Sequence, residues 1–392
     1  MINKLIKQKW YLLSVLAIIF IAGFIRFYSL ATVPHGMTWD EAAIGYNGYA
    51  VLTTRRDEWL FRLPTSFRSF GDYKAPLAIY LNGPFTYLFG MNLFAVRLPF
   101  AISSLFGILG ITLLTKFIFK EHKLANYYSL FAGFIMTLSP WHIHYSRAGF
   151  ESGMSLTFLI WGLYFLIKSI KNGFKNIYIS LLGVFSLVAG IYTYHSAKVV
   201  IPLILLSIFI LFFKPIIKNF KKVVLPLTTF IILLIPFIKD SLFGEGLTRA
   251  GVSIFSSDIS LLEKLIYVFQ SYVAHLSPQF LLFGDTTTLR HGTGYLGVLF
   301  ITTLLLVIGG FISFFKHRKN TKYKKLFLAL IFIGLLPACI SMEVPHSNRS
   351  LLALPGFILL AIYGLDYFIE KLRLLSLNKT VSGSHGEKDI MV

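Results

Sequence analysis

The chain has 392 residues, of which 56% are hydrophobic, 16% aromatic and only 14% charged; its mean hydropathy is +0.71 and its formal net charge +20. A soluble fold of this size needs about a quarter of its residues charged to cover its surface, so soluble enzymes, nucleic-acid binders and secreted disulfide scaffolds are excluded. The single cysteine, Cys339, has no intrachain partner. What remains is an all-α polytopic membrane protein, one body of packed helices.

Taken in chain order, the first apolar stretch, 10–30, follows Lys4, Lys7 and Lys9. It is too long for a signal peptide's apolar core and no small-residue cleavage site follows it, so it reads as a retained span. Further stretches able to cross about 30 Å of hydrocarbon fall at 97–119, 124–140, 153–170, 176–194, 198–213, 223–238, 295–315, 326–341 and 350–370. Residues 76–92 are apolar too, but they contain two prolines and two glycines. Placed as an interfacial or re-entrant segment, they leave ten spans and a consistent charge asymmetry. One side then carries 23 basic and five acidic residues, the other 14 and twelve. By the positive-inside rule both termini are cytoplasmic, in a plasma membrane, and most of the excess charge is a topology signal, not a polyanion site.

The outer face receives two large loops, 31–96 and 239–294, within a single transmembrane domain over 1–373; the polar tail 374–392 reads as disordered. Ten of the fourteen outer basic residues are arginine, the side chain that grips carboxylate and phosphate bidentately. No Walker A, HExxH or CxxC pattern occurs, so a P-loop nucleotide site and zinc chemistry have no support.

In PHGMTWDEAAIGYNGYA, Asp40 and Glu41 stand side by side beyond the first span. Acids at a membrane surface are costly unless solvated, paired or used. On a helix they point about 100° apart, so only one aims into a shared cavity, leaving the other for structure or a cation. The plainer reading is a helix N-terminus with acids on its dipole and Thr38 as cap. In SFGDYKAPLAIYL, Tyr73 and Lys74 precede Pro76; Lys74 is placed either to contact a phosphate or simply to snorkel. In LSPWHIHYSRAGFESGMS, Arg147 and Glu151 are spaced i, i+4, as in a helical ion pair. His142 and His144, at i, i+2, do not share a helix face. VPHSNRSLLALP sets His346 and Arg349 just outside the last span, and the second large loop holds His275, Asp285, Arg290 and His291.

The succession WDEAAIGYNGYA, YKAPLAIYL, GMNLFAVRLPFAISSLFG, then LSPWHIHYSRAGFESGMSLTF and HSNRSLLALP, resembles the lipid-carrier-dependent glycosyltransferases of the GT-C fold. That group includes protein O-mannosyltransferases and bacterial aminoarabinose transferases. The resemblance covers most of the chain and is most specific within 26–151. It implies juxtamembrane helices in the first outer loop, in keeping with the placing of 76–92. It implies Asp40 as the catalytic carboxylate with Glu41 beside it, Lys74 on the carrier phosphate, Glu151 as the second acidic position and Arg349 as a late basic residue near that phosphate. Tyr73, Arg147 and His346 join these as candidate substrate contacts. The family's Lys-Pro-Pro is Lys74-Ala75-Pro76 here, and the Trp-Trp-Asp expected of oligosaccharyltransferases is absent.

The function implied is inverting transfer of a sugar from a polyprenyl-phosphate carrier to an acceptor hydroxyl on a protein, glycolipid or cell-wall polymer. A divalent cation held by Asp40, Glu41 and Glu151 stays open as a cofactor. The alternative function is a flippase for a lipid-linked sugar, against which stands the lack of charge near the middle of any span.

Overall fold

An apolar run in hydrocarbon must close its own backbone hydrogen bonds, which makes it a helix. In the computed structural model, which describes residues 2–244, 251, 253–285, 290–292, 295–316 and 321–386, each stretch read as a span contains one. The chain begins with α1 (Ile2–Phe27), α2 (Trp39–Thr54), a hairpin of β1 (Phe67–Ser69) and β2 (Asp72–Lys74), and α3 (Pro76–Phe89). Next come α4 (Leu93–Ile118), α5 (Ala125–Leu138), α6 (Pro140–Arg147) and α7 (Glu151–Lys171). Then follow α8 (Ile177–Thr193), α9 (Ala197–Leu211), α10 (Phe213–Lys218) and α11 (Phe220–Phe243). The last third holds α12 (Leu261–Leu276), α13 (Pro278–Phe283), α14 (Ile301–Lys316), α15 (Thr321–Cys339), α16 (Ser347–Ser350) and α17 (Leu354–Gly386).

Among the described residues, five stretches are both long and apolar enough to cross a membrane: Gln8–Phe27 in α1, then α4, α7, α11, and Ser347–Leu375 through α16 into α17. The protein is therefore a multi-pass membrane protein. Helix α3, of 14 residues like α5, is not among these five. It lies instead against α2, where the two backbones meet at glycines. A Cβ on Gly48 would stand 2.8 Å from the Ile79 carbonyl oxygen, and one on Gly83 would stand 2.5 Å from that of Gly48. Asn82 Nδ2 donates to the Val96 carbonyl at 2.7 Å and fastens α3 to α4.

The main core runs between α4, α7 and α8 and through α15 and α17, with Ile108, Ile111, Leu156, Ile160, Leu330 and Ile358 buried. A smaller cluster of Ile44, Phe67, Ile79, Phe100 and Met154 lies under the hairpin. Three local features depart from the sequence reading. The hairpin is unexpected; its turn residues Phe70 and Gly71 both have positive φ, 42° and 79°, as a two-residue turn of this hand requires. The stretch 124–140 is broken at Ser139, whose hydroxyl accepts from the His142 N–H so that α6 starts afresh at Pro140. Helix α17 continues to Gly386, into the segment 374–392 that composition marks as disordered.

Candidate active site

The C-terminal ends of α1, α5 and α8 and the N-terminal ends of α4 and α7 meet at one end of the bundle, and the charged residues gather there. Thr38 and Glu41 start α2 with a reciprocal cap: Glu41 N donates to Thr38 Oγ1 at 3.2 Å and Thr38 N to Glu41 Oε2 at 2.9 Å. Glu41 is fully buried. It also receives Arg97 Nε at 2.6 Å, Arg97 Nη2 at 3.2 Å and the Gly149 N–H at 3.1 Å. The rest of the Arg97 fork is spent on the carbonyls of Leu30, Pro34 and Gly36. This unit is closed, with every strong donor on an acceptor.

One residue away on the same helix, Asp40 points elsewhere. Its Oδ1 receives Lys74 Nζ at 2.5 Å, and its Oδ2 lies 3.5 Å from Arg290 Nη1. The same Lys74 ammonium reaches Glu151 Oε1 at 3.3 Å. Lys74 is delivered by the hairpin: it pairs across the strands with buried Phe67, and its own side chain is only 5% exposed. Tyr73, its strand neighbour, projects to the opposite face, and its carbonyl accepts from His195 Nε2 at 2.7 Å. Three segments distant in sequence thus bring two carboxylates and an ammonium together, with a guanidinium from a fourth.

Glu151 and Arg147 do not form the ion pair their spacing suggests. The helix breaks between them at Ala148–Phe150, because the backbone there closes on Glu41: a Cβ on Gly149 would stand 2.8 Å from Glu41 Cγ. Arg147 turns instead to the Ile25 carbonyl in the last turn of α1 and to those of Tyr28 and Val33 in the loop that follows, as a cation favours a helix C-terminus. Helix α7 then starts at Glu151, whose carboxylate is free to meet Lys74. His142 is buried against Arg26, Nδ1 to Nη2 at 2.8 Å. The carboxylates that a divalent cation would need do not converge, since Glu41 faces Arg97 and Lys74 stands between Asp40 and Glu151. Among the described residues no group of three His, Cys, Asp or Glu side chains is placed to hold a metal.

The second half of the site comes from the loop before α14 and from α16. The Arg290 guanidinium lies 5.0 Å over the Trp39 ring, and its carbonyl accepts from His144 Nε2 at 3.0 Å. His291 packs against His346, ring centres 4.6 Å apart and planes tilted by 39°. Ser347 Oγ donates to the His291 carbonyl and is bonded to the Tyr145 hydroxyl at 2.8 Å. His346 and Arg349 share Glu343, each at 3.4 Å, while the His346 N–H donates to His275 Nε2 at 3.0 Å. Burial, reinforced by Arg290, pushes the His291 pKa down to about 3; burial and Arg349 push His346 down to about 2. His144 is lowered by burial as well. These imidazoles are neutral at neutral pH, so they donate and accept without adding charge. His346 Nδ1 is buried with no hydrogen-bond partner among the described residues. Arg290 and His291 carried no weight in the sequence reading; their only signal was arginine in an outer loop.

Residues 73–239 match the family of dolichyl-phosphate-mannose-protein mannosyltransferases. Among solved structures, the fold is similar to the archaeal oligosaccharyltransferase AglB from Archaeoglobus fulgidus, in complex with an inhibitory peptide and a dolichol-phosphate. The TM-score is 0.58 at 14% identity over 96% of this chain and 52% of that one. It is also similar to ArnT from Cupriavidus metallidurans bound to undecaprenyl phosphate, with a TM-score of 0.56 at 13% identity over 91% of this chain and 59% of that one. The chain has the GT-C fold. The resemblance read from the sequence is borne out in the fold, and the family matched over 73–239 is one of mannosyltransferases. The chain spans a little over half the length of these two structures' chains, and the likeness to an oligosaccharyltransferase is one of fold. No curated protein matches by sequence.

Proposed function

We propose that the protein is a membrane-embedded glycosyltransferase. It moves a sugar from a polyprenyl-phosphate carrier to an acceptor hydroxyl, on the outer face of a plasma membrane, with inversion at the anomeric carbon. The observation that carries this reading is the convergence of Asp40, Lys74, Glu151 and Arg290 at one end of an apolar bundle. A carboxylate beside cations serves a reaction in which one oxygen loses a proton while another gains charge.

The acceptor hydroxyl attacks C1 of the sugar and gives its proton to Asp40. The bond from C1 to the phosphate oxygen breaks, and the polyprenyl phosphate leaves with an extra negative charge. Asp40 acts as general base, and Lys74, Arg290 and Arg349 stabilise the departing phosphate. The contact between Lys74 and Asp40 has a consequence for timing. A carboxylate held by an ammonium is a weaker base, and an arriving phosphate competes for the same ammonium. Donor binding therefore frees the base. Glu151 keeps Lys74 in place during the exchange, and Glu41 holds the start of α2, outside the chemistry. Arg147 supports the site through the end of α1, and Tyr73 through its carbonyl on His195.

The test follows label from radiolabelled polyprenyl-phosphate sugars in membranes holding wild-type protein or Asp40→Asn. Transfer to a new product should fall by about 10²–10⁴ in the variant, with folding and donor binding retained. Full transfer by Asp40→Asn would remove the assigned base. Unchanged donor crossing the bilayer equally with both proteins would identify a flippase instead.

A further inference from the structure

Helix α11 is long and apolar enough to cross the membrane, yet Pro226 is the one residue of it that is buried. Near its C-terminal end stand two polar arrangements that a lipid-facing span does not need. Asp240 lies in the last turn, where the helix dipole disfavours an acid. Its Oδ2 accepts from Ser66 Oγ at 2.5 Å, a length usual for a hydroxyl on a carboxylate. Four residues before it, Pro236 has no N–H to give the Ile232 carbonyl. At the next link of the ladder α8 intervenes. The Tyr192 hydroxyl donates to the Leu233 carbonyl at 2.9 Å and accepts from the Phe237 N–H at 3.0 Å. A side chain inserted between i and i+4 beside a proline sets the direction of the turn beyond it, and that turn carries Asp240.

Ser66 is the residue before β1, and its neighbour Phe67 stands across the strands from Lys74. The other strand is tied as well, by His195 Nε2 on the Tyr73 carbonyl at 2.7 Å, and His195 stands two residues past the end of α8. These contacts close a ring. It runs from α8 to α11 through Tyr192, from α11 to the start of β1 through Asp240, and from β2 back to α8 through Tyr73. Strands of three residues make a hairpin too short to be stable by itself, so its anchors decide where its side chains stand.

We infer that Asp240 and Tyr192 are positioning residues of the site: through Ser66 and β1 they set where the Lys74 ammonium stands between Asp40 and Glu151. The inference rests on the proposed role of Lys74 at the carrier phosphate and adds what aims it. Helix α11, which looks like a peripheral span, becomes part of the reaction's geometry by way of the hairpin.

The experiment uses the full chain in nanodiscs and reads Lys74 directly, by its rate of acylation with an N-hydroxysuccinimide acetate followed by mass spectrometry. The Lys74 side chain is 5% exposed, so its acylation should be slow beside that of exposed Lys218, the internal reference. Ser66→Ala and Asp240→Ala should each speed Lys74 by about threefold or more, as local opening allows. The double variant should be no faster than either single one, because both remove one contact. Ser66→Thr, which keeps the hydroxyl, should restore protection. Tyr192→Phe, which removes only a hydroxyl, should act in the same direction and serves if the Asp240 variant does not fold, with folding checked by thermal unfolding. In transfer from a radiolabelled polyprenyl-phosphate sugar, kcat/KM should fall by about tenfold in Ser66→Ala. The same change should add nothing to Lys74→Gln. Unchanged acylation in the folded variants would overturn the inference and leave the proposed function standing. A loss of transfer that adds in full to that of Lys74→Gln would also overturn it, since the effect would then bypass Lys74. Faster acylation with transfer undiminished in every variant, Lys74→Gln included, would uphold the positioning and count against the proposed function.

Discussion

Asp40 and Glu41 are neighbours on one helix, yet they serve two regions built on different terms. Around Glu41 everything is closed: the carboxylate is buried and takes up Arg97, the Gly149 N–H and the Thr38 N–H. Around Asp40 the pairing is looser. One ammonium is divided between two carboxylates, Arg290 stands off at 3.5 Å and keeps a 32% exposed side chain, and Asp40 itself is 17% exposed. Ion pairs of the same kind thus separate by satisfaction. A fully buried carboxylate on a doubly bonded arginine is fitted to hold the fold, whereas one that shares its ammonium with a second carboxylate nearer the surface suits the proposed chemistry.

The sharpest way to break this contrast is Arg97→Met. It leaves Glu41 buried without its countercharge and three carbonyls without a donor, which should cost about 3–5 kcal/mol of stability, read as an early thermal transition in detergent. Transfer should disappear with the fold, not ahead of it. A variant that unfolds like wild type but transfers nothing would put Arg97 in the chemistry and erase the distinction. Lys74→Gln tests the other region. It removes the contact proposed for the leaving phosphate, so the transfer rate should fall by about 10²–10³, equivalent to about 3–4 kcal/mol in the barrier. Its unfolding temperature should move far less than that of Arg97→Met.

The histidines give a smaller effect with a definite sign. His291 and His346 have folded pKa values of about 3 and about 2, below the unfolded value near 6.5. Between those limits the unfolded chain binds more protons, so stability is full above pH 6.5 and is lost as pH falls beneath it. At pH 5 the loss is at most about 2 kcal/mol per histidine. Thermal unfolding between pH 7.5 and 5 should show it, and His346→Asn should flatten the slope. An unchanged slope would mean that His346 is protonated in the folded protein.

How much of this was legible depended on whether a signal was local. Apolar runs give helices wherever they occur, so the helices of the bundle followed from composition and length, whereas the placing of 76–92 rested on the charge asymmetry of the loops. Asp40, Lys74 and Glu151 were legible because each sits in a recognisable motif, and their convergence agrees with the family resemblance. The Arg147–Glu151 pair was misread, since i, i+4 spacing holds only while the helix continues, and a buried contact between Gly149 and Glu41 ends it. Arg290 had no signal beyond being an arginine in an outer loop. It reaches Asp40 across 250 residues of chain, and only tertiary packing over Trp39 puts it there. The hairpin hid for a related reason: three residues to a strand give too short an alternation to notice, although Phe70-Gly71 at its turn was available.

The finest test of the two regions is Thr38→Ala. Thr38 caps the helix that carries both acids, and losing its side-chain acceptor for the Glu41 N–H should cost about 1 kcal/mol. Glu41 would still be held by Arg97 and Gly149, so the path of α2 should not change. Transfer per folded molecule should then stay within about twofold, since Asp40 is aimed by the buried unit behind it. Thr38→Ser should restore stability without altering the rate. If Thr38→Ala instead lowers transfer tenfold at an unchanged unfolding temperature, the cap itself sets the aim of Asp40, and the closed region and the reactive one are a single device.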